Sequence, residues 1–225
     1  MKPKNLIFIA ATSILALLAA AGFATDKTVS SKIEVKVKEK FPSASGISAS
    51  IPLLDLPGNL TSDSIKAVNI KIDEYKPRGS NTKASLEIDA REIKKSGPMQ
   101  VGSLDITSTI PAATLVEQST FEGTEIIDNT LQISVGAGGL GKAQLVPTFA
   151  NNQIYFQLKS ISIMGTPIPT DSLPLDIQDQ IKSKSIREIN VPMGMKLKSV
   201  SLSSKGLSVN LRGSNIQFGK LGTSL

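Results

Sequence analysis

The chain contains no cysteine and no histidine among its 225 residues. Without cysteine there is no disulfide framework and no thiolate nucleophile, and without histidine there is no imidazole base. The two absences also remove the usual ligands of zinc and exclude a Ser-His-Asp triad. A Ser-Lys pair or a pair of carboxylates stays open in principle, but no local signature marks one. We therefore expect a protein that is not an enzyme, with no catalytic residues, no metal and no cofactor.

Aromatic residues are scarce as well. They make up 4% of the chain, with no tryptophan, whereas hydrophobic residues make up 40%. The core must therefore be built mainly from isoleucine, leucine, valine and alanine. Because no aromatic side chains lie among the basic residues to stack on bases, we expect no nucleic acid partner.

Charge is absent from residues 6–24, "LIFIAATSILALLAAAGFA", which follow two lysines within the first four residues. Gly22 and Ala24 place small residues at the −3 and −1 positions of a signal peptidase site. This pattern predicts a cleaved signal peptide over residues 1–24. An uncleaved membrane anchor is the alternative, since about 20 apolar residues span a bilayer. Either way we expect an exported domain over residues 25–225, in the periplasm or on the outer face of the cytoplasmic membrane.

The exported part carries a mild positive charge. Cleavage removes two lysines and no acidic residue, so the net charge falls from +6 to +4. A positive surplus outside the cell fits an anionic membrane surface. An ordinary basic surface explains it equally well.

Apolar residues alternate with period two along most of the chain after Pro42. Nine or ten such segments, separated by turn signals, predict a mainly antiparallel sheet with one buried face. The turn signals include Ser204-Lys205-Gly206 and Arg212-Gly213-Ser214. The alternating segments are Ile47–Ile51, Val68–Ile72, Ala84–Ala90, Leu104–Ile110, Leu131–Val135, Ile154–Leu158, Ile161–Ile163 and Leu207–Leu211, followed by Ile216 and Phe218.

Residues 26–41 are the first candidate helix. Val29, Ile33, Val37 and Phe41 recur every four residues, as on one face of a helix. Ile33, Val35 and Val37 also alternate as in a strand. We favour the helix because segments dense in lysine and glutamate resist sheets.

Two further segments interrupt the strands. Residues 110–118 predict a short helix with Pro111 in its first turn. Residues 170–188 predict a longer one, with an apolar stripe that includes Ile177 and Ile181. The basic residues near its end, which the helix dipole favours there, are Lys182, Lys184 and Arg187. A contact of these three residues with lipid headgroups is the sharper interpretation.

The stretch "GAGGLG" at residues 136–141 has the spacing of a dinucleotide-binding turn. Such a turn must open a helix, yet Pro147 stands where the middle of that helix would be. No acidic residue lies near 20 positions further on, and the chain has no βαβ alternation. We therefore expect no nucleotide and interpret the motif as a glycine-rich hairpin between two strands.

The order of these segments resembles the LmeA-like phospholipid-binding proteins of bacterial cell envelopes. The resemblance covers residues 27–218 and is carried by "KGLSVNLRGSNIQF" near the end, "GTPIP" before the second helix and "IP" at 110–111. It implies an α+β fold in which a long curved antiparallel sheet wraps around amphipathic helices, as in tubular lipid-binding proteins. It further implies non-enzymatic binding of phospholipid or glycolipid in an apolar groove, supporting envelope lipid assembly or transport at a membrane surface.

The candidate lipid-lining residues come from the inferred inward faces of strands and helices. An ordinary core position is the stronger interpretation for each of them. They are Val29, Ile33, Val37, Ile154, Phe156, Leu158, Ile177 and Ile181. The alternative function is an extracellular β-rich interaction module, such as an adhesin, with no lipid cavity.

Overall fold

A computed structural model describes most of the chain between residues 31 and 217. The described residues are 31, 34–35, 37–39, 41–50, 64–76, 82–94, 100–119, 121–135, 137–151, 153–172, 186–189, 191 and 194–217. The expected signal peptide therefore lies outside them. Within the described residues, no helix is both long enough and apolar enough to cross a membrane.

Antiparallel β-sheet dominates the structure, as the alternating segments predict: strands hold 69% of the described residues. The strands are β1 (Ser45–Ser50), β2 (Ser64–Tyr75), β3 (Ala84–Lys94), β4 (Gln100–Pro111), β5 (Glu125–Ile127), β6 (Thr130–Val135), β7 (Gly141–Ala150), β8 (Gln153–Ile163), β9 (Thr166–Ile168), β10 (Arg187–Glu188), β11 (Met195–Ser203) and β12 (Gly206–Gln217). One sheet has the order β1-β2-β3-β4-β12-β11, and the other has the order β10-β8-β7-β6-β5, with β9 paired to β8.

The chain divides into two compact units. The N-terminal unit takes its described residues from Leu6–Ser108, Asn190–Lys198 and Asn210–Leu225. The central unit takes most of its residues from Thr109–Ile189 and Ser199–Val209. Strands β4, β11 and β12 contribute residues to both units. The expectation of a single domain over residues 25–225 stays a prediction.

The N-terminal unit buries an aliphatic face of its sheet. In the β2–β3 pair, Val68 lies opposite Ala90 and Ile70 opposite Ile88. These side chains are buried, whereas their neighbours Asn69 and Lys71 are exposed. The alternation of apolar and polar residues along β2 therefore sorts its side chains onto two faces.

The first candidate helix lies in the N-terminal unit. Every described residue between 31 and 39 is helical, so the helix prediction is confirmed there and the strand alternative is wrong. Val37 and Phe41 are buried, and the Phe41 amide donates a 2.8 Å hydrogen bond to the Val37 carbonyl. Phe41 also meets Tyr75 edge to face, with ring centroids 5.9 Å apart.

The central unit is a run of hairpins from β5 to β9 with its own apolar core. Its core residues are Leu131, Ile133, Ala143, Leu145, Phe156, Ile161, Leu202 and Leu207. The short helix α1 (Ala112–Glu117) confirms a helix within the predicted segment 110–118, but Pro111 is the last residue of β4 and does not lie in the first turn. Leu115 packs against this core. The core is aliphatic apart from one phenylalanine, as the composition predicts.

Several predicted boundaries were wrong. Residues 154–158 and 161–163 form one strand, β8, with Lys159 unpaired at a bulge between them. The predicted turn at Arg212-Gly213-Ser214 lies inside β12 instead. At position 213 a Cβ would lie only 2.8 Å from the Gly194 carbonyl oxygen. This position in the strand therefore requires glycine, the residue without a side chain.

The prediction of a second long helix over residues 170–188 is wrong at both ends of that segment. Thr170–Ser172 form a single 3-10 turn, and Arg187 lies in strand β10 rather than in a helix. The interior of that segment, residues 173–185, lies outside the described residues. The dipole argument therefore does not apply to Arg187.

Candidate functional site

Strand β8 brings together three of the predicted lipid-lining residues. Phe156 belongs to the core of the central unit, and Leu158 packs against that core from a partly buried position. Ile154 is buried on the same strand, opposite Phe149 of β7. The predicted inward orientation of Ile154 and Phe156 is thus confirmed, and a role in lipid contact stays a prediction.

The remaining candidate residues are distributed differently. Val37 is fully buried in the N-terminal unit. Arg187 pairs with Ile154 across β10 and β8. Outside the described residues lie Val29, Ile33, Ile177, Ile181, Lys182 and Lys184.

The glycine motif forms a hairpin between β6 and β7, as predicted. Val135 and Gly141 are paired across it, and Gly138 and Gly139 both adopt positive φ angles of 69°. Such angles are open to glycine at little cost. The residues that follow are strand β7 and include Pro147, so no helix N-terminus is available to a pyrophosphate.

The central unit presents an apolar end that the sequence analysis missed. Leu140 of the glycine hairpin is 62% exposed, and Ile163 and Met164 at the end of β8 are 46% and 80% exposed. The Met164 amide donates a 3.1 Å hydrogen bond to the Leu140 carbonyl. The two loops are therefore adjacent. We call Leu140, Ile163 and Met164 the apolar tip.

The stretch of sequence that forms the apolar tip contains no acidic residue, although exposed Glu122 lies beside Ser134, whose amide donates a 3.0 Å hydrogen bond to the Glu122 carbonyl. Residues 129–170 include two lysines, Lys142 and Lys159, and no aspartate or glutamate. Lys142 follows the glycine hairpin directly, and its Nζ donates a 3.0 Å hydrogen bond to Ser134 Oγ. Lys159 is exposed at the bulge of β8. This stretch is therefore apolar and cationic.

The exposed face of the N-terminal sheet forms an open polar pocket of about 410 Å³. Its lining residues are Ser48, Ser50, Asn69, Ile70, Lys71, Glu87, Ile88, Asp89, Asp105 and Thr107. The Asp89 and Asp105 carboxylates accept hydrogen bonds from Arg91 at 3.0 Å and Arg212 at 2.7 Å, respectively.

Three of the four charged residues that line this pocket, Lys71, Asp89 and Asp105, form ion pairs at the surface of the protein. The hydrogen bond that Arg212 donates to Asp105 raises the pKa of Arg212, and Asp73 raises the pKa of Lys71 in the same way. Each shift favours the charged form of the cation. In the described part of the chain, no group of three or more acidic side chains could hold a metal ion. The pocket therefore has the character of a solvated polar surface.

Comparisons of this chain with models of protein families, with curated proteins and with solved structures find no match. The function is therefore inferred from the sheet faces and the apolar tip described above.

Proposed function

We propose that this chain is a non-enzymatic lipid-binding protein of the cell envelope, which holds the acyl chains of a phospholipid or glycolipid against an aliphatic sheet face. The resemblance of residues 27–218 to the LmeA-like proteins supports this function. The mild positive charge of the exported part fits a membrane surface as its place of action.

The aliphatic face of β2, β3 and β4 carries the proposal. These strands have 12, 11 and 12 residues, so the face is roughly 40 Å long at about 3.3 Å per residue. Its inward side chains, such as Ile72 and Leu104, are fully buried. A long face of aliphatic side chains suits acyl chains, whose burial stabilises the complex by about 0.8 kcal/mol per CH₂.

Small side chains on the face fit this use. Ala90 is fully buried within β3, two residues from Ile88, and Ala84 is buried at the start of β3. Alanine takes up less of the buried space than a larger aliphatic side chain would. We therefore assign Val37 and the inward residues of β2–β4 to acyl contact, with Ile154, Phe156 and Leu158 as the second group.

Lipid extraction tests the proposal directly. The full chain is expressed with its own leader, and the exported product is purified without detergent. Native mass spectrometry then measures the intact species, and lipid mass spectrometry measures a solvent extract. We expect a stoichiometric phospholipid or glycolipid. A native mass equal to that of the protein without lipid, together with no uptake of lipid from added vesicles, would contradict the proposal.

The variant Ala90→Leu separates a lipid-filled face from a closed core. If acyl chains fill the face, the added side chain displaces them: retained lipid falls severalfold, while the melting temperatures of the delipidated variant and the delipidated parent protein differ little. If the core is closed, no lipid is found in either protein, and overpacking destabilises the variant by about 1–3 kcal/mol. The matched control is Ala150→Leu at an exposed position on β7.

A β-rich interaction module without a lipid cavity is the second candidate function. The observation that favours it is the core of the central unit, in which Phe156 packs with Leu145 and Ile161 as an ordinary core residue. A lipid-free protein whose Ala90→Leu variant is destabilised would support this function.

A further inference from the structure

We propose that the apolar tip inserts into the surface of an anionic phospholipid bilayer and thereby docks the central unit on the membrane. This goes beyond lipid binding on the sheet face, because it assigns a separate site to Leu140, Ile163 and Met164.

The topology of the central unit brings the three residues to one end. Strands β7 and β8 are antiparallel, so the start of β7 pairs with the end of β8, and Gly141 lies opposite Ile163. The glycine hairpin enters β7 at this end, and the turn at Met164-Gly165 leaves β8 there. The hydrogen bond from the Met164 amide to Leu140 joins the two loops.

Apolar exposure is concentrated at this end. Seven large apolar side chains are exposed among the described residues, and three of them form the apolar tip. Single exposed apolar residues are normal on a soluble protein, whereas a contiguous group marks an interaction site. The tip therefore has an apolar partner.

The backbone conformation of Met164 supports a role of its side chain in contact with an apolar partner. Met164 and Gly165 have φ angles of 49° and 81° and connect β8 to β9 in a two-residue turn. Turns with two positive φ angles favour asparagine, aspartate or glycine. The β5–β6 turn follows that preference with Asp128 and Asn129. A methionine with 80% exposure in this conformation does not serve the turn itself.

The charges around the tip identify the partner as an anionic bilayer. Residues 129–170 carry Lys142 and Lys159 and no acidic side chain. An exposed apolar group next to lysines matches the arrangement of an interfacial anchor, in which apolar side chains enter the acyl boundary and cations meet anionic headgroups.

Vesicle co-sedimentation of the exported protein tests the proposal. The vesicles contain phosphatidylglycerol and phosphatidylcholine, and phosphatidylcholine alone serves for comparison. We expect binding to the anionic vesicles that weakens with added salt, because salt screens the lysines. Met164→Asn and Leu140→Ser each lower the partition coefficient about tenfold, the factor expected for one large aliphatic side chain.

The variants are chosen so that loss of binding is not loss of folding. Asparagine suits the positive φ angle of Met164, so Met164→Asn keeps or raises the melting temperature. The matched control is Ile127→Thr, which removes an exposed apolar side chain next to the β5–β6 turn, at the other end of β6. We expect this control to bind vesicles as the parent protein does.

Three outcomes would overturn the proposal. The first is unchanged vesicle binding in the variant that combines Met164→Asn with Leu140→Ser. The second is an equal loss of binding in Ile127→Thr. The third is a parent protein that is a dimer and a combined variant that is a monomer, because the tip then contacts a second copy of the chain. Co-purified lipid is measured on the same samples, so failure of the tip and failure of the sheet-face proposal are separate results.

Discussion

At the scale of single residues, Tyr75 is a titratable group buried within the N-terminal unit. Its hydroxyl lies beside Ser108, and its ring meets Phe41 edge to face. Burial raises the pKa of Tyr75 above its ordinary value of 10.0, and the neighbouring Ser108 hydroxyl partly offsets this effect. The folded protein therefore keeps the phenol proton at a pH where the unfolded chain releases it.

This shift predicts a loss of stability in alkali. Below pH 10.0 both states hold the proton, so the contribution of Tyr75 is constant. Above pH 10.0 the folded state binds more protons than the unfolded state, so the free energy of unfolding falls until the folded group also ionises. Tyr75→Phe removes this component. Urea unfolding on both sides of pH 10 measures it, with Tyr155→Phe as the control. Equal alkaline slopes for the parent and Tyr75→Phe would contradict the assignment.

Gly206 is a second residue whose identity is set by its surroundings. It lies where the β11–β12 turn meets the start of α1, with a φ angle of 130°. A Cβ there would collide with the Ile110 carbonyl oxygen and lie 2.8 Å from the Ala112 amide nitrogen. The Ala112 amide donates a 3.1 Å hydrogen bond to the Lys205 carbonyl, which holds the two backbones together.

We expect Gly206→Ala to lower the free energy of unfolding by about 2 kcal/mol or more, from backbone strain together with the collision. The control is Gly138→Ala. Gly138 also has a positive φ angle, but no atom lies within 4 Å of its added Cβ. That variant loses only about 1 kcal/mol. Denaturant unfolding of both variants gives the comparison, and equal losses would mean that the close approach is unimportant.

At the scale of elements, Pro147 shows how β7 tolerates a residue that sheets usually exclude. The pairing of β7 with β6 runs from Gly141 to Leu145, whereas its pairing with β8 continues to Ala150. Pro147 therefore lies beyond the β6 ladder, where its missing N–H breaks no bond to β6. A proline at such an edge also discourages pairing with a second chain.

Pro147→Val is accordingly expected to increase self-association while leaving the monomer folded. Valine restores the amide donor and has a high strand propensity, so it makes this edge available for pairing. Size-exclusion chromatography with light scattering over a range of concentrations measures the effect. Thr148→Val adds the same side chain but keeps the proline and should stay monomeric. A monomeric Pro147→Val protein at every concentration would contradict the role of Pro147 as an edge block.

Alternation predicted the strands whose two faces differ most. Leu86 and Ile88 are buried and Glu87 is exposed. The alternation of apolar and polar residues along β3 can therefore be recognised in the sequence. Strand β7 was predicted only as the second strand of the glycine-rich hairpin and not from alternation, because its inward residues begin with Gly141 and Ala143, which give a weak apolar signal. Gly213 was interpreted as a turn because the sequence does not show that the Gly194 carbonyl oxygen lies against it.

The candidate sites were predictable to a smaller extent. The inward side of β8 followed from its period, which located Ile154 and Phe156. The apolar tip could not be predicted from periodicity, because neither Leu140 nor Met164 belongs to a periodic pattern. The exposure of these two residues depends on the pairing of β7 with β8. A usable signal was present in the lack of acidic residues from 129 to 170.

At the scale of the whole molecule, bound lipid should stabilise the folded chain. A ligand that binds only the folded state adds about 2.7 kcal/mol at 100 times its dissociation constant. For a chain of this size that corresponds to a rise in melting temperature of roughly 5–10 °C. Calorimetry of delipidated protein, before and after reloading with the extracted lipid, measures the shift. An unchanged melting temperature after confirmed uptake would place the lipid at a site that is not coupled to folding.

The separation in sequence between β4 and β12 has a consequence for the order of folding. Asp105 on β4 and Arg212 on β12 meet across 107 residues. The hairpins from β5 to β9, in contrast, join strands that are neighbours in sequence. Closing short loops is entropically cheaper and faster than closing long ones, so the hairpins form early during folding. Strand β4 then has one open edge until β12 pairs with it. During that interval the partly folded chain, rather than the folded protein, is the species most prone to aggregation and most dependent on a chaperone.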